Sequence, residues 1–366
     1  MVPVLTAIGL TAAVGSARAQ QPDDLHRELA EVARQVKALL DQKGNDAIAV
    51  GDFRGPARLA SSSGPAIAKA LAEDLQKLGV IVRRRAALEV NGEYRDVEDQ
   101  KTRLLSVEIK AHVIDRSGAE LVAFEPRGVF SVPLIAAITG ISSVSLPPGA
   151  DDKERNKVLE SALDDPKVHL AGTRICARPG SPYAIEVLVE ENGRFRPRAA
   201  TSDDGMAFVK IRRGETYAIK LINDSPFDAA VILTIDGLNV FAFSANKNYS
   251  LWVVPKKQTL TVPGWHRTNA KADSFLVTEY AKSAVAEALP SSASVGTITA
   301  SFAAAWPQGS NPPEDEAPSR KGGRAGDATG RGPETPTSFV EVVREIGRLR
   351  DAISVRYTKT EEGAGK

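Results

Sequence analysis

Cysteine is almost missing from this 366-residue chain: Cys176 is the only one, so no internal disulfide can form and the fold must rest on packing. Arg174 and Arg178 flank it, but no nearby histidine completes a nucleophile pair, so the thiol reads as structural. Histidine is scarce too. His26, His112, His169 and His266 are all there are, and none stands at metal-ligand spacing from another histidine or the cysteine. No His-Glu-x-x-His pair, Gly-x-Ser-x-Gly elbow or phosphate loop ending in Gly-Lys-Ser/Thr occurs. These absences exclude the familiar catalytic and metal-binding patterns, and each histidine reads as a surface or satisfied polar residue. Aromatic residues make up 5% of the chain and the formal charge is +1. Stacking platforms and a polyanion-gathering field are therefore both lacking, which argues against nucleic acid.

What is present begins at the N-terminus. An apolar run from Val2 to Gly15 leads to small residues at Ala17 and Ala19, the Ala-x-Ala pattern of a secretory signal, although no Lys or Arg precedes the run. Residues 1–19 are thus expected to be a signal peptide, with the mature chain starting near Gln20 in the periplasm or outside the cell. Glutamine stands where a lipid-anchor cysteine would be, so the expected product is soluble. It is expected to have no membrane span, its overall composition being that of an ordinary globular protein.

The expected fold class is α+β: a mixed α/β domain over 20–130, a connector over 131–180 and an all-β, sandwich-like domain over 181–306. Leu25, Leu29, Val32, Val36, Leu39 and Leu40 recur at helical spacing from Asp24 to Lys43. Strand Ala47–Val50, a helix opening near Pro65 and strand Val80–Val82 form a β-α-β unit that predicts a parallel pair. Residues 106–113 alternate as a strand with one wet face, and Leu121–Phe124 returns antiparallel. After Gly180, short strands separated by turn residues dominate, with Asp236-Gly237 the strongest hairpin signal. Alanines are the only apolar side chains over 307–337, which predicts a disordered insertion. Residues 338–366 are expected to supply a short helix and a strand that closes the β domain.

Three features are candidate contacts. Arg194, Arg196 and Arg198 alternate in Arg-Phe-Arg-Pro-Arg and would line three guanidinium groups along one edge of an extended segment, a surface for anionic groups. Asp203-Asp204-Gly205 lacks a third oxygen donor at loop spacing and reads as a turn rather than a calcium site. Trp252, Trp265 and Tyr280 could form an aromatic platform for sugar or peptide, or else core anchors.

Two resemblances add to this reading. The segment Ala47 to Phe53, the helix after it and the strand at Val80 to Arg85 resemble the opening of envelope proteins of the curli-secretion-channel, flagellar-outer-membrane and TolB amino-terminal type. That resemblance implies an α/β domain that assembles with envelope partners. Gly214-Glu215-Thr216-Tyr217, Ile235 to Val240, Val262-Pro263-Gly264-Trp265-His266, Phe275 to Tyr280, Val295 to Ile298 and Val355-Arg356-Tyr357 look like an uncharacterised module of planctomycete-type exported proteins. It implies a fold and a source but no activity. The expected role is a soluble exported envelope protein acting in binding or assembly, non-catalytic, without a cofactor, and partnered by an envelope protein. Carbohydrate or cell-wall recognition through the β domain, and an unfamiliar hydrolase with a carboxylate pair, are the alternatives.

Overall fold

The computed structural model describes residues 12–16, 24–55, 64–83, 85–98, 105–129, 135–136, 140, 143–203, 205–236, 238–246, 248–278, 296–316 and 334–358. The chain is mostly β, with 53% strand and 17% helix, arranged in three open sheets.

The first part of the chain contains β1 (Ala12–Ser16), α1 (Asp24–Gln42), β2 (Ala47–Arg54), α2 (Gly64–Lys77), β3 (Ile81–Val82), β4 (Leu88–Glu98), β5 (Leu105–Asp115), β6 (Glu120–Ala123) and β7 (Arg127–Val129). Strands β2 to β7 form a six-stranded sheet in the order β3-β2-β4-β5-β6, with β7 also on β5. The expected parallel β2–β3 pair is there, as Ala47 to Ile81 and Ile48 to Val82. Leu25, Leu29, Val32, Val36 and Leu40 of α1 are buried, as are Ile67, Leu71 and Leu75 of α2. Each fully buried aliphatic side chain contributes about 1.5–3 kcal/mol. Leu78, placed on the same stripe by its spacing, lies beyond the end of α2 and is exposed.

Strand β4 was not anticipated, although it pairs with β5 along its whole length. Gly92 interrupts its alternation, and the structure shows why glycine is needed. A Cβ there would sit 2.2 Å from the Lys110 carbonyl and 2.8 Å from the Phe53 ring, so the Phe53 ring lies close over bare backbone.

Helices α1 and α2 are pinned by Asp74, whose buried carboxylate faces His26 Nδ1 at 3.0 Å and Lys77 Nζ at 2.7 Å. Burial pushes this carboxyl up, but hydrogen bonds from His26 and Lys77 outweigh that and hold it below its ordinary range. Asp74→Asn is expected to cost about 1 kcal/mol at pH 7. A depressed folded pKa contributes stability that is present above the unfolded value and lost as pH falls through the folded one. Urea titrations should therefore show the variant and the wild type converging as the pH falls through and below the ordinary carboxylate range.

The connector does not stand apart. It supplies β8 (Ser143–Ser145), α3 (Asp152–Asp164), β9 (His169–Ala171) and β10 (Arg174–Cys176). Asp151 caps α3 by accepting the Glu154 N–H at 2.8 Å, and Glu154 accepts the Asp151 N–H in return. Leu159 and Leu163 join the core of the helix-covered sheet, and that core continues onto Leu238, Ala242, Leu349 and Ala352. The segment thus packs on both halves of the chain.

The remaining strands are β11 (Tyr183–Glu191), β12 (Arg194–Arg198), β13 (Thr201–Asp203), β14 (Met206–Lys210), β15 (Thr216–Asn223), β16 (Asp228–Ile235), β17 (Leu238–Asn239), β18 (Tyr249–Val254), β19 (Gln258–Val262), β20 (Gly264–Thr268), β21 (Lys271–Leu276), β22 (Thr297–Pro307), β23 (Glu334–Pro336) and β24 (Phe339–Thr358). One nine-stranded sheet runs β1-β18-β16-β22-β24-β14-β13, with β17 and β8 attached. The other runs β20-β21-β15-β11-β10-β9, with β12, β19 and β23 attached. Their inner faces share one core, in which Ile185, Val187, Ile219 and Leu221 meet Val231, Trp252, Ile298, Phe302 and Ile353. This arrangement is compatible with a β-sandwich.

Two expectations are corrected, and a strand forms within a segment expected to be a leader. No short helix precedes the closing strand: residues 339–358 form one continuous strand. Its β-branched residues, Val340, Val342, Val343 and Ile346, favour extended backbone, and pairing with β1 over 339–343 and with β22 from Arg344 onward overrides the helical spacing. The proposed insertion is ordered at both ends. Arg350 holds Asp315 at 2.7 Å through both ends of its fork and Glu316 at 2.9 Å, while β23 pairs with β21; residues 317–333 lie outside the described residues. Finally, Ala12–Ser16 of the expected signal segment forms β1, antiparallel to β18 and parallel to the start of β24. The rest of that segment lies outside the described residues.

Candidate functional site

The β11–β12 hairpin turns at Asn192 and Gly193, both with positive φ (53° and 74°), as a right-twisted two-residue connection requires. Its register sets Arg198 opposite Val187, Arg196 opposite Val189 and Arg194 opposite Glu191. All three arginines therefore share one face, as alternation predicts, and Phe195 and Pro197 share the other. Among the described residues β12 pairs with no strand besides β11, so its far edge is open, and Pro197 supplies no N–H to it.

The three arginines are not equivalent. Arg198 bonds Glu215 at 2.7 Å, Glu191 at 3.1 Å and the Lys210 carbonyl at 2.9 Å, and the Glu215 hydrogen bond foremost raises its pKa. It is a structural tie to the loop before β15. Arg194 and Arg196 are exposed and have no ion-pair partner among the described residues. On a strand they stand about 6.6 Å apart along the backbone, with the 38% exposed Phe195 between them on the opposite face. The site that remains is two uncompensated guanidinium groups on an open strand edge.

The aromatic platform does not form. Trp252 is fully buried against Phe241 and Phe339, with ring centroids 4.5 and 4.7 Å away. Trp265 is 4% exposed and meets Phe275 edge-on at 4.7 Å. Both are core anchors, Trp252 on β18 and Trp265 on β20, in the core shared by the two large sheets. Tyr280 lies outside the described residues, as does Asp204 of the acidic turn. Among the described residues no group of three or more His, Cys, Asp and Glu side chains could hold a metal ion.

Sequence spacing missed one polar relay. His266 is 1% exposed, with Nδ1 3.1 Å from Ser244 Oγ and Nε2 3.2 Å from Asn269 Oδ1. Asn269 Nδ2 donates to the Tyr249 hydroxyl at 3.4 Å, and that hydroxyl donates to Glu341 at 2.9 Å. The order serine, histidine, asparagine is that of a nucleophile, base and orienter, but the surroundings oppose that chemistry. Ser244 is itself buried and accepts the Asn246 N–H, and burial lowers the imidazole pKa to about 4, far below a useful base. The relay fixes a loop against the aromatic core. Only the meeting of residues 244, 266 and 269 in three dimensions reveals it.

Cys176 is buried, and burial raises its thiol pKa, so it does not present a reactive thiolate. Among the described residues no helix is long and apolar enough to cross a membrane. No known protein family, curated protein or solved structure matches this chain.

Proposed function

We propose that this chain is an exported, non-catalytic binding or assembly protein of the bacterial envelope. In this reading it is built as a helix-covered α/β domain followed by a β-rich, sandwich-like domain, and the open edge of β12 is a contact face for an acidic stretch of an envelope partner. One observation carries the contact face: Arg194 and Arg196 lie uncompensated on an open strand edge, whereas Arg198 beside them is neutralised. Main-chain pairing supplies affinity in such strand addition, and the side chains on alternate positions supply selectivity. The leader-like residues 1–19 support export, and the burial of Ser244 and His266 in the relay supports a non-catalytic role.

The test is capture from envelope extract by the full chain and by an Arg194→Glu, Arg196→Glu variant. A partner retained by the wild type should weaken about tenfold with the variant and wash off at raised salt. Equal retention by both proteins would remove the β12 edge from the contact.

A further inference from the structure

Strand β1 lies in a slot between two other strands. On one side Ala13, Val14 and Gly15 pair antiparallel with Val253, Trp252 and Leu251 of β18. On the other, residues 12–16 pair parallel with Phe339–Val343 of β24, and among the described residues those five β24 residues have no other strand partner, since β22 takes over from Arg344 onward. The slot is lined mainly by apolar residues, with Glu341 at its centre opposite Val14 and bonded to the Tyr249 hydroxyl at 2.9 Å. Trp252 and Phe339 line it on the core side, while Leu251, Val253 and Val342 belong to an outer cluster with Ala230 and Ala305. Val340 and Val343 at its rim are 45% and 50% exposed.

The residues that fill this slot belong to the segment read as a signal peptide. Cutting after Ala19 would remove β1 and leave two ladder edges facing each other across one strand's width, with unpaired backbone donors and acceptors along both. Such a gap admits a single extended segment. The edge of a second sheet cannot enter it, which argues against a second copy of this chain.

We propose that the slot between residues 249–253 and 339–343 is a strand-acceptor site. In the exported chain it is filled by an extended segment of an envelope partner, about five residues long and made of small and apolar residues, as β1 is. The occupant runs antiparallel to β18, as β1 does. This inference rests on the export reading above and is independent of the β12 edge.

The complete 366-residue chain would be produced in a bacterial host, recovered by fractionation, weighed by mass spectrometry and followed by amide hydrogen exchange. The expected product starts at Gln20 and exchanges the amides of 249–253 and 339–343 about 100-fold faster than those of β22. A peptide of sequence Leu10–Arg18 should slow those amides about tenfold. The same peptide with Val14→Pro, which lacks a ladder N–H and cannot sit in a central strand, should leave them fast.

Slot amides already protected in the cleaved chain, as an internal segment or self-association would produce, overturn the proposal. So does a peptide that leaves them unprotected, or an envelope-located chain that keeps residues 12–16. Recovery of the uncut chain from the cytoplasm sinks the export reading as well, so the two failures are distinguishable.

Discussion

Replacing Asp236 with alanine is expected to lower the free energy of unfolding by about 3–4 kcal/mol. Its Oδ1 accepts the backbone N–H of Gly296 at 2.6 Å and of Thr297 at 3.0 Å, and its Oδ2 accepts the Tyr357 hydroxyl at 2.7 Å. One buried carboxylate thus joins the turn after β16, the start of β22 and the end of β24. Hydrogen bonds to a charged acceptor are the stronger kind, and alanine would leave two N–H groups without a partner inside the fold. The backbone adds to the loss, because Asp236 has φ 54°, a left-handed conformation that aspartate tolerates better than alanine. Asp236→Asn keeps that tolerance and one carbonyl acceptor, so it is expected to cost about 1–2 kcal/mol. Urea unfolding followed by tryptophan fluorescence measures both variants. A loss below about 1 kcal/mol for alanine would show that the three segments hold together without this residue.

That anchor shows which parts of the fold the sequence carries locally. Asp236-Gly237 announces a hairpin, and Ile235 does pair with Leu238, but nothing in the spacing says that the same carboxylate reaches residues 60 and 121 positions away. Amphipathic helices were legible because a single face decides their burial: α1 spans Asp24–Gln42, against an expected Asp24 to Lys43. Strands with clean alternation, such as β11 and β19, were legible for the same reason.

Strand β4 was not legible, because its one irregular position, Gly92, is set by a ring from another strand. The start of the long closing strand is not legible, because β-branched residues at three-residue spacing satisfy a helical template until neighbours claim them, here β1 over 339–343 and β22 beyond. In the candidate contact surface the alternation of the three arginines was readable. Which of them stays uncompensated was not, since Glu215 reaches Arg198 only through the fold. The tryptophans show the same limit: a large aromatic residue after a turn suits either a platform or a core, and tertiary packing alone decides.

Stability should also fall steeply as the pH drops from 6.5 to about 4, with His266 a principal cause. Burial lowers its pKa from 6.5 to about 4, and the Asn269 hydrogen bond only partly opposes this. The folded chain holds the ring neutral while the unfolded chain takes up a proton below pH 6.5. The stabilisation is therefore complete above 6.5, declines as the pH falls and levels off below about 4. The loss attached to this one group is on the order of 3 kcal/mol. Urea unfolding of the wild type and of His266→Gln at several pH values separates it from the carboxylates, which titrate in both proteins. The variant should be less stable at pH 7, where Ser244 and Asn269 lose an aligned partner, but its decline toward pH 4 should be shallower. Parallel curves would mean that the folded ring takes up its proton at an ordinary pH. The position of the ring gives this a structural consequence: it stacks on Phe339 at 5.7 Å and meets Trp252 edge-on at 6.0 Å. Those residues lie on the two strands that flank β1, so a proton forced onto His266 strains the strand-acceptor slot first. Exchange at residues 249–253 and 339–343 should accordingly rise at pH 4.5 before that of β22 does.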